Sequence, residues 1–228
     1  NMSTDIFVVD TPWLIERLEE EVQKEYPEKL NNIYSSPAKL YLVGDELVLN
    51  KPSIAIIGCR DASDYGKRVA FNFAYELAKE GFVIVSGLAR GIDTYAHLGA
   101  VKANGKTVAV LGSGLKHIYP AENKELCNEI IKKGGAVITE YEPHIRPLPM
   151  NFPSRNRIIS GLSNGVLVVE AKQKSGTLIT VDYALEQGKE VFVIPGNITS
   201  TNSYGTNDLI KQGAKPVTNI QEIIEEII

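Results

Sequence analysis

The chain has 228 residues, 43% hydrophobic and 23% charged, with 19 Gly and 11 Pro, an ordinary globular composition that excludes collagenous, disordered and coiled-coil classes. Its two cysteines, Cys59 and Cys127, stand far apart and no apolar run reaches 18 residues, which argues against a disulfide framework, a zinc ribbon and a membrane span. With no signal-like segment the reading is a cytoplasmic protein. The net charge of −4 is uneven: residues 1–30 carry −5 and residues 220–228 carry −3, which leaves residues 31–219 at +4. A weakly basic body between acidic ends permits an anionic ligand without demanding one.

Residues 1–30 read as an acidic extension holding the amphipathic stretch WLIERLEEEVQKEY, either packed on the main domain or the remnant of a lost one. The Pro-punctuated segment that follows is expected to form an edge hairpin across Gly44-Asp45. From Ser53 onward short β-branched runs (SIAIIG, FVIVSG, TVAVLG, AVITE, VLVVE, EVFVIPG) alternate with helix-like stretches over 64–80, 91–104, 120–132, 154–162 and 177–187. Continuous apolar strands separated by helices imply a sheet buried on both faces. The expected fold class is therefore α/β, a doubly wound, mostly parallel sheet over 31–228 with a short helical extension before it. Asp64 is placed to cap the first long helix, and Gly81 and Gly188 to end two of them.

Glycine-containing turns follow several strands: Gly58-Cys59-Arg60, Ser86-Gly87-Leu88-Ala89-Arg90-Gly91, Gly112-Ser113-Gly114 and Pro195-Gly196-Asn197. Such turns at the carboxyl ends of parallel strands let backbone N–H groups approach an anion, although any tight turn also favours Gly. Arg60 and Arg90 each add a planar fork that suits a phosphate. Lys172, Lys174, Ser175, Gly176 and Thr177 form another anion cradle. The segment 151–157 holds Phe152, Arg155, Asn156 and Arg157, with no acid between residues 143 and 169. An aromatic ring among guanidinium groups suits a single strand, bases on the ring and phosphates on the cations. The alternative is that Phe152 belongs to the core and Arg157 pairs with a carboxylate such as Glu170.

Other motifs fail on context. Gly161-Leu-Ser-Asn-Gly165 fits the nucleophile-elbow string but runs from helix to strand, and Gly99 to Thr107 has the wrong spacing and place for a phosphate-binding loop. Gly112-x-Gly114 lacks the third glycine of a dinucleotide fingerprint, so Glu140 is not expected to hold a ribose. Asp93 and His97 lie one helical turn apart, yet no second histidine or cysteine joins them, so no metal, cofactor or catalytic residue is assigned. Asp93 is expected to cap or to pair with an arginine.

Five strings in one order, Ser86-Gly-Leu-Ala-Arg-Gly-Ile-Asp93, Gly112-Ser-Gly-Leu115 with Tyr119-Pro120 and Asn123, Pro153-Ser-Arg-Asn-Arg-Ile-Ile159 with Gly161-Leu-Ser163, Val168-Val-Glu-Ala171 with Ser175-Gly176, and Val191 to Gly196 with Gly205, Asn207 and Ile210, resemble the DNA-processing protein A family across residues 26–216. The resemblance implies an extended Rossmann-like domain that binds single-stranded DNA, forms a homodimer and loads the RecA recombinase in natural transformation, without catalysing a reaction. It implies that Arg60 holds a backbone phosphate, that Phe152 stacks a base, and that Arg90, Asn156, Arg157, Ser175 and Gly176 line the same pocket. With the turn residues Gly58, Ser86, Gly87, Gly112 and Ser113, and with Arg155 and Lys174, these make up the expected DNA site. Cys59 departs from the family's hydroxyl at the second turn position, replacing it with a weak donor. The competing expectation is a nucleotide-binding or nucleoside-phosphate-hydrolysing enzyme on the same scaffold.

Overall fold

The computed structural model describes residues 5–9, 11, 13 and 26–228; most of the acidic stretch at 13–26 lies outside them. The strands are β1 Asp5–Val8, β2 Lys39–Gly44, β3 Ser53–Ile57, β4 Val83–Ser86, β5 Thr107–Val110, β6 Ala136–Thr139, β7 Gly165–Val168, β8 Glu190–Val193 and β9 Lys215–Pro216. The helices are α1 Glu28–Asn31, α2 Asp64–Lys79, α3 Ile92–Lys102, α4 Lys124–Lys132, α5 Asn151–Gly161, α6 Thr177–Glu186, α7 Tyr204–Lys211 and α8 Gln221–Ile227. The strands form one sheet in the order β1-β2-β6-β5-β4-β3-β7-β8-β9. Every pairing is parallel except β2 with β6, so the expected doubly wound α/β class holds.

Alternation along the strands explains why they read as unbroken apolar runs. In β3, Ile54 and Ile56 pack beneath α2, α3 and α8, while Ala55 and Ile57 face the opposite layer of α1, α5, α6 and α7. Both faces are covered, so no position on the strand favours a polar residue. A third apolar cluster under α4 gathers Leu88, Leu111, Leu115, Cys127 and Ile130.

Two expectations change. The α2 cap is Ser63, whose Oγ accepts from the Gly66 N–H at 3.1 Å, and not Asp64, which is already helical. No hairpin forms at Gly44-Asp45: β2 leaves into a 3-10 turn over Glu46–Asn50 and pairs antiparallel with β6, a strand far along the chain. Residues 5–8 form an edge strand, and α1 straddles the anticipated boundary at residue 30, with Leu30 fully buried against the main core.

The direction of winding reverses once. From β3 the chain steps outward through β4 and β5 to β6, then returns through α5 to place β7 on the other side of β3. That return is pinned by a buried ion pair. Both Arg157 terminal nitrogens donate to the Glu140 carboxylate at 2.6 Å, and its Nε donates to the Ser35 carbonyl at 2.9 Å. The partner is Glu140, just past β6, and not Glu170. Removing one member of such a pair leaves an uncompensated buried charge. Glu140→Ala should therefore lower unfolding stability by about 3–5 kcal/mol in a urea titration, whereas Glu142→Ala, at an exposed neighbouring position, should stay within about 0.5 kcal/mol.

Candidate functional site

Reversal between β3 and β7 opens a crevice beyond their carboxyl ends, the place where open α/β sheets bind ligands. A cavity of about 650 Å³ lies there, lined by the turn Gly58 to Asp61, by Phe152, Arg155 and Asn156 of α5, and by Lys172 and Ser175 to Thr177 leading into α6. Half of the residues singled out from the sequence meet on these walls: Gly58, Arg60, Phe152, Arg155, Asn156, Ser175 and Gly176. The Arg60 turn is held by backbone contacts: the Cys59 N–H donates to the Glu170 carbonyl and the Cys59 carbonyl accepts from the Ile92 N–H. Gly91 makes this possible, with φ of 80° and a position where a Cβ would strike the carbonyl oxygens of Cys59 and Arg60. Arg60 itself is exposed, and among the described residues it has no carboxylate partner.

Beside it Phe152 presents a half-buried ring. The Arg60 guanidinium lies 5.6 Å from its centroid and that of Arg155 5.4 Å, both within cation–π range. Gly112 gives the ring its seat, since a Cβ there would come within 2.9 Å of it. Tyr119 packs next to Phe152 with centroids 5.6 Å apart, and Arg90 lies over Tyr119 at 5.7 Å. Arg90 also donates to the Glu122 carboxylate at 2.5 Å.

Beneath the platform lie buried ionisable side chains. Arg155 is buried and donates to the carbonyls of Gly87 at 2.9 Å and Val110 at 2.7 Å, tying the ends of β4 and β5 together. Asp93 accepts from the Gly87 N–H at 3.1 Å. Burial pushes the Asp93 carboxyl up to about 6 and the Arg155 guanidinium down to about 10, each shift opposed by the other's charge. Leu88 between them adopts a left-handed φ of 60° while fully buried, a conformation that costs on the order of 1–3 kcal/mol. Two side chains offset that strain: the Leu88 N–H donates to His97 Nε2 at 3.2 Å and its carbonyl accepts from Asn123 Nδ2 at 2.9 Å. His97 Nε2 is thus the acceptor, and Nδ1–H donates to Thr107 Oγ1 at 2.7 Å, whose hydroxyl donates to the Ile84 carbonyl.

Other residues expected at the site are spent on the fold. Ser86 Oγ donates to the Ile56 carbonyl and Ser113 Oγ to the His117 carbonyl, both serines buried, and Arg157 serves Glu140. The Cys59 thiol points to the Asp61 carbonyl, and burial pushes it up to about 11. Part of the amide set of the glycine turns is used within the chain: the N–H groups of Cys59, Gly87, Leu88 and Gly114 are bonded there. So is the N-terminus of α2, where the buried Glu170 carboxylate accepts from the Ser63 N–H at 2.9 Å and the Ser63 hydroxyl at 2.6 Å. An anion is also offered a set of side-chain cations, Arg60, Lys172 and Lys174, and the start of α6, where Gly176 is exposed and Ser175 Oγ accepts from the Thr177 N–H. Lys172 is paired with Asp61 at 3.1 Å.

Tyr119 was absent from the expected site, although the Tyr119-Pro120 string carried part of the signal; nothing local shows that the loop after β5 returns to α5. Among the described residues no group of His, Cys, Asp or Glu is arranged to hold a metal ion. The His97 ring is pushed down to about 3, first by burial and then by Arg155. Its folded value lies below the unfolded one of 6.5, so its contribution is complete above pH 6.5 and is lost as the pH falls from there toward 3. In urea titrations between pH 7 and 5, the wild type should lose about 1.4 kcal/mol per unit below pH 6.5 relative to His97→Gln, in which Asp93 is retained and its opposite trend cancels.

The model of the family described as DNA recombination-mediator protein A matches residues 19–228. The chain is 45% identical over 205 residues to DNA processing protein DprA of Bacillus subtilis, covering 90% of this chain and 69% of that protein. It is 46% identical over 202 residues to protein Smf of Escherichia coli, covering 89% of this chain but only 54% of that one. The solved structure of DNA processing protein A from Helicobacter pylori, a work on its single-stranded DNA binding mode, is 35% identical with a TM-score of 0.81, over 90% of this chain and 93% of that one. By the extent of the family match and the identity to these relatives, the chain belongs to the DNA recombination-mediator protein A family.

Proposed function

We propose that the chain binds single-stranded DNA in the crevice between β3 and β7, as a binder and not a catalyst. The observation that carries this reading is Arg60, an exposed cation with no carboxylate partner among the described residues, held over the ring of Phe152 at the crevice mouth. A base stacks on Phe152 while Arg60 takes the adjoining phosphate, and neither contact reads base identity. Lys172 and the start of α6 form the opposite wall along which the backbone continues, and the exposed Lys174 lies in the same turn. The binding mode described for the Helicobacter pylori relative supports the same ligand class.

Glu170 weighs against the nucleotide-hydrolysing alternative. Its carboxylate fills the N-terminus of the helix after β3, where a Rossmann-type site receives a pyrophosphate. Asp93, the acid nearest the floor, is buried with Arg155 and bonded to Gly87. On family membership we further propose that the protein acts in the cytoplasm as a homodimer and passes its strand to the RecA recombinase in natural transformation. Among the described residues no helix is long and apolar enough to cross a membrane.

Anisotropy of a labelled oligo-dT, titrated over a salt series beside a duplex of equal length, tests the site. The single strand should be preferred and affinity should fall with salt. Arg60→Ala should reduce the slope of log K against log salt by about 0.7, and Phe152→Ala should weaken binding about 5- to 150-fold. Binding that is absent at low salt, or indifferent to both substitutions, overturns the assignment.

A further inference from the structure

Two guanidinium–aromatic pairs stand side by side at the crevice mouth. Arg60 lies over Phe152 at 5.6 Å, Arg90 over Tyr119 at 5.7 Å, and the two rings are 5.6 Å apart with planes inclined by 58°. That separation exceeds the ~3.4 Å rise of a stacked strand, as bases splayed over two inclined rings require. A small indentation joins the pairs, lined by Arg60, Gly87, Arg90, Tyr119, Pro120 and Phe152.

The pairs differ in one respect. Arg60 is open, whereas Arg90 Nε donates to Glu122 Oε1 at 2.5 Å and a terminal nitrogen donates to Oε2 at 3.3 Å. This two-pronged grip on a carboxylate is the one a guanidinium gives a phosphate. Both side chains are more than half exposed, so solvent and salt screen the contact and it is readily exchanged.

Building on the single-strand reading above, we propose that Arg90 and Tyr119 form a second nucleotide subsite, which Glu122 occupies in the free protein as an internal stand-in for the phosphate. A strand first engages Arg60 and Phe152, which are open. Its next phosphate, held nearby by that contact, then meets Arg90 at high effective concentration and displaces Glu122. The Arg90 charge is already neutralised before binding, so Glu122 lowers both the affinity and the salt dependence of the complex.

Oligo-dT titrations over a salt series with wild type, Arg60→Ala, Glu122→Gln, Arg90→Ala and the double variant Glu122→Gln/Arg90→Ala test this. Glu122→Gln should bind about two- to fivefold tighter at low salt, with a slope steeper by about 0.7, and the gain should vanish when Arg90→Ala is added. Unchanged or weaker binding by Glu122→Gln overturns the inference, as does a gain without a steeper slope or one that survives Arg90→Ala. Loss of affinity in Arg60→Ala beside such a result leaves the crevice assignment standing. Wild-type protein that fails to bind the oligonucleotide overturns the crevice assignment itself, and the inference with it.

Discussion

A carboxylate occupies the position where a doubly wound sheet ordinarily offers a helix end to its ligand. Glu170 lies two residues past the end of β7, and at the reversal point this sets its side chain against the start of α2, where it accepts from both polar groups of Ser63. Its backbone carbonyl accepts from the Cys59 N–H, and its Oε1 from Asn202 Nδ2 at 3.3 Å. One residue thus closes a ready anion site and braces the turn that carries Arg60. With the helix end filled and the amides of Cys59, Gly87, Leu88 and Gly114 bonded internally, much of the recognition of an anion passes to side-chain guanidinium and ammonium groups on the rim. Such groups tolerate the varied spacing of a flexible polyanion better than a fixed cradle of amides does.

The rim rests on a buried, hydrogen-bonded floor. Arg155 and Asp93 are ionisable and buried, a costly arrangement unless polar partners are in place, and their bonds go to the backbone at Gly87 and Val110. His97 and Asn123 hold the strained Leu88 on either side of its peptide groups. The strand ends that shape the crevice are therefore held by the chain's own bonds, an arrangement that reduces the ordering cost of binding. Phe152 rests against this floor through Arg155 and Gly112. The exposed ion pairs Arg90–Glu122 and Lys172–Asp61 belong to the solvent-screened part of the site.

Much of this was legible residue by residue. Continuous apolar runs gave the strands of the parallel core, and Gly81 and Gly188 end their helices with the positive φ that those positions require. The string around Phe152 marked one wall of the crevice and the Gly-Cys-Arg turn another. Illegible were the partners that join distant segments. Arg155 and Arg157 sit two residues apart in one motif, yet one supports the floor of the crevice and the other locks α5 to Glu140. Two residues on a helix point about 200° apart, and their surroundings are set by the sheet and not by the string. The expected hairpin failed for the same reason: β2 had local turn residues, but its partner β6 lies some 95 residues later.

The sequence by itself determined the periodicities, the breaks and the chemical inventory: which runs are buried on both faces, where glycine permits a turn, and that arginines gather near an aromatic ring. These follow from local backbone preferences and from the apolar area that each segment must remove from water. Only the tertiary structure decided which cations remain available. Whether an arginine is spent on a carboxylate, a carbonyl or nothing depends on groups tens of residues away. Those are brought together by the single reversal of strand order between β3 and β7, which places Glu170 against α2, Glu140 against Arg157 and Arg60 against Phe152.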